Sequence, residues 1–163
     1  MLLTGVVALP PHNIGEFDLD QCLQCFRRHP DASTALFYKM AEAEDASRRG
    51  VVRVDPTSRR IVAFTEKPKA LMADREAAAS PSLACPLFYI LRPEACALLD
   101  TWIAANSARA QLSCGEFMEH AVPRVPFYGV RLPGGFSLVG VTAGLREYRA
   151  LDALFTRRRP RGD

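Results

Sequence analysis

The sequence lacks both a long hydrophobic run and a strong excess of charge of either sign. No apolar stretch approaches the roughly 20 residues that span a bilayer, and the run at 2–9 has neither a basic flank nor a small-residue cleavage site. The formal net charge is only +3 over 163 residues, and much of the positive excess lies in the terminal run 157–161. We therefore expect a cytoplasmic protein that binds neither membrane nor nucleic acid, with residues 157–163 as a disordered basic tail.

The cysteines are odd in number and scattered, which is not the pattern of a disulfide framework. We expect them to be free thiols in a reducing compartment. Cys22, Cys25 and His29 have a zinc-like spacing along one helical face, but they lack a clear fourth ligand, so a half-buried helix face explains them better. The sequence predicts no metal site at these positions. The five cysteines are Cys22, Cys25, Cys85, Cys96 and Cys114.

The sequence also lacks any arrangement of serine, histidine and aspartate that would support a hydrolase. His120 lies on a predicted helix and is expected to be a surface or partly buried side chain rather than a general base. No internal repeat or linker divides the chain, and 48% of its residues are hydrophobic, which is enough for one core. We predict a single domain at 1–156 and no catalytic residue.

Strands and helices alternate along the chain. An apolar strand at 3–9 is followed by a helix that Asp18 can cap and that stops before Pro30, and then by a strand at 32–41. The run 83–91 predicts one apolar strand. Pro93 suits the first turn of a helix to about 105, whose inner face is predicted to carry a set of large apolar residues. That set is Leu98, Leu99, Trp102 and Ile103.

Two hairpins and two further helices complete the predicted order. Residues 49–66 form the first hairpin, and the runs 125–132 and 136–139 flank a Pro-Gly-Gly turn in the second. Ser113 and Glu116 match a capping box, and Thr142 can cap a last helix. This order predicts an α/β fold, a three-layer sandwich with a mixed, mainly parallel sheet and two hairpins.

The first hairpin carries the most informative motif. Residues 49–55 (RGVVRVD) and 60–68 (RIVAFTEKP) are two alternating apolar runs around a turn, with Glu66 and Lys67 at the exit. This passage resembles the sugar-phosphate-binding stretch of the sugar-1-phosphate nucleotidylyltransferases. Residues 13–19 (NIGEFDL), 88–94 (FYILRPE) and 117–128 resemble further segments of that family in the same order. The resemblance covers the C-terminal two-thirds of such an enzyme and implies a shortened form of its nucleotide-diphospho-sugar transferase fold.

The family joins a nucleoside triphosphate to a sugar 1-phosphate and releases pyrophosphate, with magnesium neutralising the developing charge. The resemblance implies that Gly50 presents its backbone N–H to the sugar. It also implies that Glu66 accepts hydrogen bonds from sugar hydroxyls and that Lys67 neutralises the phosphate. Without the resemblance, the Glu66–Lys67 pair would be explained as a solvated turn. Gly50 could equally be the residue of positive φ that opens a hairpin.

The chain departs from the family at the positions that serve the triphosphate and the metal. The glycine-rich loop G-x-x-G-T-R-L is absent from the sequence. Residues 11–12 (Pro-His) stand where the family has Gly-Asp, and Leu138 stands where it has a second metal aspartate. Magnesium prefers carboxylate oxygens, which these residues do not offer. Cys85 replaces a sugar-contacting asparagine, and Leu87 replaces a glycine.

We therefore expect a domain related to nucleotide-sugar synthesis that is inactive alone, and that needs magnesium only if activity remains. An incomplete gene product is one explanation of such a chain. The expected ligand is a sugar 1-phosphate or a sugar nucleotide, and the expected protein partner is a second copy or an active homologue. A non-catalytic binding or regulatory subunit and an α/β interaction domain remain the alternatives.

Overall fold

A computed structural model of the chain describes residues 19–40, 46–68 and 83–132, together with the backbone of residues 6–8. Several predictions therefore lie outside the described residues: the Asp18 cap, the second arm of the 125–139 hairpin, the helix from Thr142, the domain boundary at 156 and the disordered tail at 157–163. None of the helices in the described ranges combines the length and the apolar character that a membrane span requires.

In the part of the chain that the structure describes, seven strands form one sheet, which is mixed as the sequence predicts. They follow the order β1-β6-β2-β5-β3-β4, and β7 pairs with β2. The ladder between β2 and β7 is parallel, while the other ladders between described strands are antiparallel. The prediction of a mainly parallel sheet is therefore wrong for the described strands, because most neighbouring strands run in opposite directions. The β-α-β order of the first elements does not place β1 beside β2, because β6 lies between them. The strands are β1 (Val6–Ala8), β2 (Ser33–Lys39), β3 (Gly50–Val54), β4 (Ile61–Glu66), β5 (Leu83–Cys85), β6 (Tyr89–Leu91) and β7 (Phe127–Arg131).

Helices cover both faces of the sheet, which confirms the three-layer sandwich. They are α1 (Leu19–Arg28), α2 (Pro93–Ala105) and α3 (Cys114–Ala121), with a short 3-10 turn at Ala46–Arg48. The central strand β2 is buried on both sides, since Leu36 and Tyr38 pack in the cluster that α1 covers. Ala35 and Phe37 pack in the second cluster, which α2 and α3 cover. Alternate side chains of this one strand therefore pack into two separate hydrophobic cores, one on each face of the sheet.

The predicted bounds of α1 and α2 and the predicted start of α3 are confirmed. In α3, the Ser113 side chain accepts from the Glu116 N–H while the Glu116 carboxylate accepts from the Ser113 N–H, so the capping box is present. The inner face of α2 needs one correction, because Ile103 is 45% exposed whereas Trp102 is buried. Successive helical residues differ by about 100° in direction, so a side chain next to the buried tryptophan turns away from the core.

The predicted strand at 83–91 is wrong in its continuity. The structure has two short strands, β5 and β6, separated by residues 86–88. Pro86 has no N–H to donate to a ladder, and Leu87 has a φ of 62°, in the left-handed region that favours glycine. The glycine expected by family resemblance at this position thus corresponds to a real turn in the backbone.

The sheet curls so that the β3–β4 hairpin returns to β7. Arg60 forms an isolated antiparallel bridge with Tyr128, and the Gly129 N–H donates to the Arg59 carbonyl at 2.9 Å. The hairpin turn is closed by Asp55, whose Oδ1 accepts from the N–H of Ser58 at 2.7 Å. The other end of the hairpin, which carries Gly50 and Glu66, therefore lies away from this closure and against α3.

Candidate functional site

Three residues of the candidate site lie in one row across neighbouring strands. Gly50 of β3 pairs with Glu66 of β4 on one side and with Cys85 of β5 on the other. Lys67 follows Glu66 directly, and its Nζ is 3.7 Å from Glu66 Oε1. The structure thus brings together Gly50, Glu66 and Lys67, which the sequence selects, and adds Cys85 beside them.

The Glu66 carboxylate lies in a narrow slot between two glycines. A Cβ at Gly50 would be 3.2 Å from Glu66 Oε2 and would also overlap the Phe64 ring, and a Cβ at Gly115 would overlap the carboxylate itself. The φ of Gly50 is not in the left-handed region, so the explanation of Gly50 as a residue of positive φ is wrong. Close approach of side chains, rather than backbone conformation, explains glycine at position 50.

Lys67 has a strained backbone. Its φ is 44°, in the left-handed region, and it directly precedes Pro68. Non-glycine residues in this region cost of the order of 1–3 kcal/mol and concentrate at functional sites. The Lys67 side chain is 62% exposed, whereas that of Glu66 is only 13% exposed. The explanation of this pair as a solvated turn therefore fits the lysine but not the glutamate.

Burial dominates the electrostatics of Glu66. Desolvation raises the pKa of this carboxyl above its usual value, and the ammonium of Lys67 opposes that shift. The carboxylates of Glu116 and Glu119 on α3 raise the pKa further. A buried carboxylate with one exposed cation beside it is a strong acceptor for hydroxyl hydrogen bonds once a ligand excludes water.

A buried thiol and a buried phenol lie next to this carboxylate. Cys85 Sγ donates to Tyr89 Oη at 3.4 Å and accepts from the N–H groups of Leu87 and Phe88. Burial raises the pKa of Cys85 to about 11 and that of Tyr89 well above its usual value, and the charge of Glu66 adds to both shifts. Both groups therefore stay neutral at pH 7, and Cys85 holds the β5–β6 turn rather than acting as a nucleophile.

Sequence reasoning missed Gly115 and gave no role to the Tyr89 hydroxyl. One signal was available for Gly115, because a glycine within the first turn of a capped helix costs helix stability and so implies a packing reason. The Tyr89 hydroxyl had no such signal, since a buried tyrosine in an apolar strand is ordinary core. Its proximity to Glu66 depends on the pairing of β5 with β3.

The Cys22, Cys25 and His29 side chains have separate surroundings. Cys22 is fully buried in the core cluster under α1, Cys25 is half-buried, and the His29 ring stacks on Tyr128 at 3.6 Å. Across 19–40, 46–68 and 83–132, no three His, Cys, Asp or Glu side chains are grouped so that they could hold a metal ion. None of the five cysteines, which all lie in the described ranges, forms a disulfide, and Cys114 is exposed.

The raised pKa of Glu66 predicts how stability depends on pH. The folded protein binds a proton at Glu66 more tightly than the unfolded chain, so this residue stabilises the fold below its ordinary pKa, and that contribution is lost as pH rises. Glu66→Gln removes this dependence. We expect the stability of Glu66→Gln relative to wild type to increase from pH 4 to pH 7, as measured by urea unfolding.

The lowered pKa values of Asp55 and Glu116 act in the opposite direction, through hydrogen bonds with Ser58 and Arg109 respectively. Wild type and Glu66→Gln both contain these two carboxylates, so their effects cancel when the stability of one protein is subtracted from that of the other. A difference in stability that stays constant between pH 4 and pH 7 would contradict the assignment of a raised pKa to Glu66.

Comparison with known proteins places the chain in a family. A family model described as nucleotidyl transferase matches residues 4–131. The fold is similar to that of a glucose-1-phosphate thymidylyltransferase from Bacillus anthracis, solved in complex with a sucrose, with a TM-score of 0.62 and 18% identity. The match covers 98% of this chain but 57% of that one. No curated protein matches the chain. With most of its length matched by the family model, the chain belongs to the nucleotidyl transferase family.

Proposed function

We propose that this chain binds a sugar 1-phosphate, or the sugar-phosphate part of a nucleotide sugar, at the site that Gly50, Glu66 and Lys67 form together. The single observation that carries this proposal is the buried Glu66 carboxylate held beside an exposed, backbone-strained lysine. The carboxylate would accept hydrogen bonds from sugar hydroxyls, and the Lys67 ammonium would neutralise the phosphate. Relatives in this family act in nucleotide-sugar synthesis, which makes a sugar phosphate the ligand to test first.

Nucleotidyl transfer itself is not part of the proposed function of this chain. Family members typically use magnesium, which stabilises the charge that develops on the transferred phosphorus. Residues 11–12 and Leu138, which lie outside the described residues, offer no carboxylate at the two positions where the family has metal aspartates. The proposed binding of a sugar phosphate needs only Glu66, Lys67 and the backbone of Gly50, so it should persist without magnesium.

The test is thermal unfolding of the purified chain against a panel of sugar 1-phosphates and nucleotide sugars, with and without magnesium. A ligand at 100 times its Kd stabilises the folded state by about 2.7 kcal/mol, which raises Tm by roughly 5–11 °C for a chain of this size. Glu66→Gln combined with Lys67→Gly should abolish this rise. Glycine at position 67 tolerates the left-handed backbone, so the variant removes charge without adding strain.

A matched control is Arg53→Gln, which removes an exposed cation from the same hairpin. It should keep the full ligand response. A folded wild type with no response to any member of the panel would refute the binding proposal and favour an α/β interaction domain. Magnesium-dependent release of pyrophosphate from any pair of nucleoside triphosphate and sugar phosphate would refute the proposed inactivity.

A further inference from the structure

The first turn of α3 lies against the carboxylate of Glu66. Gly115 is the second residue of this helix, and it is buried. The space that a side chain would occupy at Gly115 is filled by the Glu66 carboxylate, because a Cβ there would overlap both Cδ and Oε2. The two residues are 49 positions apart in sequence, so the contact is made by tertiary packing of α3 on β4.

The position of this helical turn is fixed by its own hydrogen bonds. Ser113 and Glu116 form the capping box on either side of Gly115. Glu116 also accepts from the Arg109 guanidinium at 2.5 Å, which ties the turn to the preceding loop. The capping box and the contact with Arg109 keep the helix start from moving away from the Glu66 carboxylate. The shape of the slot therefore depends on the residue at position 115.

We propose that Gly115 is a positioning residue for Glu66, and that its missing side chain provides the space that directs the carboxylate into the slot beside Gly50. The orientation of the Glu66 carboxylate follows from packing alone. The effect of that orientation on a bound sugar rests on the proposed function. Gly115 touches no ligand in this proposal, because it acts through the position of Glu66.

The test is a double-mutant cycle that combines Gly115→Ala with Glu66→Ala. Replacing glycine by alanine within a helix ordinarily stabilises it, which corresponds to a rise in Tm of up to about 4 °C here. In the wild-type background we expect Gly115→Ala to lower Tm instead, because the new methyl group displaces the carboxylate. In the Glu66→Ala background the space is empty, so the same change should raise Tm.

A second readout follows Glu66 directly. Carbon-13 NMR of the side-chain carboxyl, measured against pH, should show that Gly115→Ala lowers the Glu66 pKa towards its ordinary value, because the displaced carboxylate becomes more hydrated. A purely structural role of Gly115 would leave this titration unchanged. The charged and titratable groups near Glu66 from the packed elements are Lys67, Cys85, Tyr89, Glu116 and Glu119, and none of them is changed in this variant.

The positioning role requires both the opposite changes in Tm in the two backgrounds and the lowered pKa of Glu66. Equal changes in Tm in the two backgrounds, or an unmoved Glu66 titration, would overturn the inference. Neither readout uses a ligand, so the positioning role is decided even if no sugar phosphate binds. Where wild type does respond to a sugar phosphate, Gly115→Ala should reduce that response while the protein remains folded at the temperature of the assay.

Discussion

Replacement of Arg92 by alanine is expected to lower the free energy of unfolding by about 2–4 kcal/mol, since hydrogen bonds from a charged group contribute about 1.5–3 kcal/mol each in favourable settings. The guanidinium connects the end of α1 to the start of β2. Its Nε donates to the Ala32 carbonyl at 3.2 Å, and its terminal nitrogen donates to the carbonyls of Phe26 and His29. Urea unfolding of the purified variant measures the loss.

The geometry of Arg92 makes lysine a poor replacement. The guanidinium carbon lies 3.5 Å from the centroid of the Phe26 ring, so the planar group lies over the ring face. The nitrogens at its edge donate at the same time to the carbonyls of Ala32 and His29. A lysine keeps the charge, but its single ammonium group cannot reproduce the several fixed N–H donors of the guanidinium or its contact with the ring. We therefore expect Arg92→Lys to show most of the loss of stability seen with alanine, which separates geometry from charge.

Arg53→Ala is the matched control for this prediction, because Arg53 is an exposed arginine on a strand. Its effect should stay within about 0.5 kcal/mol of wild type, as for surface substitutions in general. If Arg92→Ala were no more destabilising than Arg53→Ala, the three carbonyl contacts would not be holding α1 in place. The Arg-Pro-Glu segment that resembles the family would then need another explanation.

Local signals in the sequence predicted the local structure well. Helix α1 ends before Pro30, the Ser113–Glu116 pair starts α3, and the alternation around Asp55 gives the β3–β4 hairpin. Each of these features depends on residues within a few positions of one another. Their physical causes, which are side-chain caps, the missing proline N–H and period-two burial, can be read without knowledge of the tertiary fold.

Features that depend on distant residues were not predictable in the same way. The break between β5 and β6 places Leu87 in a left-handed conformation that its side chain disfavours, so the apolar run 83–91 gave the wrong continuity. The slot around Glu66 is formed by Gly115 from a helix that begins 48 residues later in the chain. Of the four residues at the candidate site, Gly50, Glu66 and Lys67 were found through resemblance to a family motif, and Gly115 was found only through packing.

Gly50→Ala is expected to destabilise the protein by about 1–3 kcal/mol, the usual cost of overpacking a close-packed interior, and to abolish any response to a sugar phosphate. The added methyl group would overlap the ring of Phe64, which is buried in the core cluster and cannot move into solvent. The same methyl group would lie 3.2 Å from Glu66 Oε2, closer than ordinary contact. Urea unfolding and ligand-dependent thermal unfolding measure the two effects separately.

A second variant distinguishes overlap with the ring from a general intolerance of alanine in β3. Phe64→Leu removes the ring atoms nearest to position 50, so Gly50→Ala should cost less in that background than in wild type. Contacting residues show coupling energies of about 0.5–3 kcal/mol in such cycles, and a value in this range is expected here. If the effects of Gly50→Ala and Phe64→Leu on the free energy of unfolding simply add, the Phe64 ring moves aside at little cost. Even then, loss of the ligand response in the Phe64→Leu background would show that the methyl group acts on Glu66 itself, because the carboxylate is the other group that it meets.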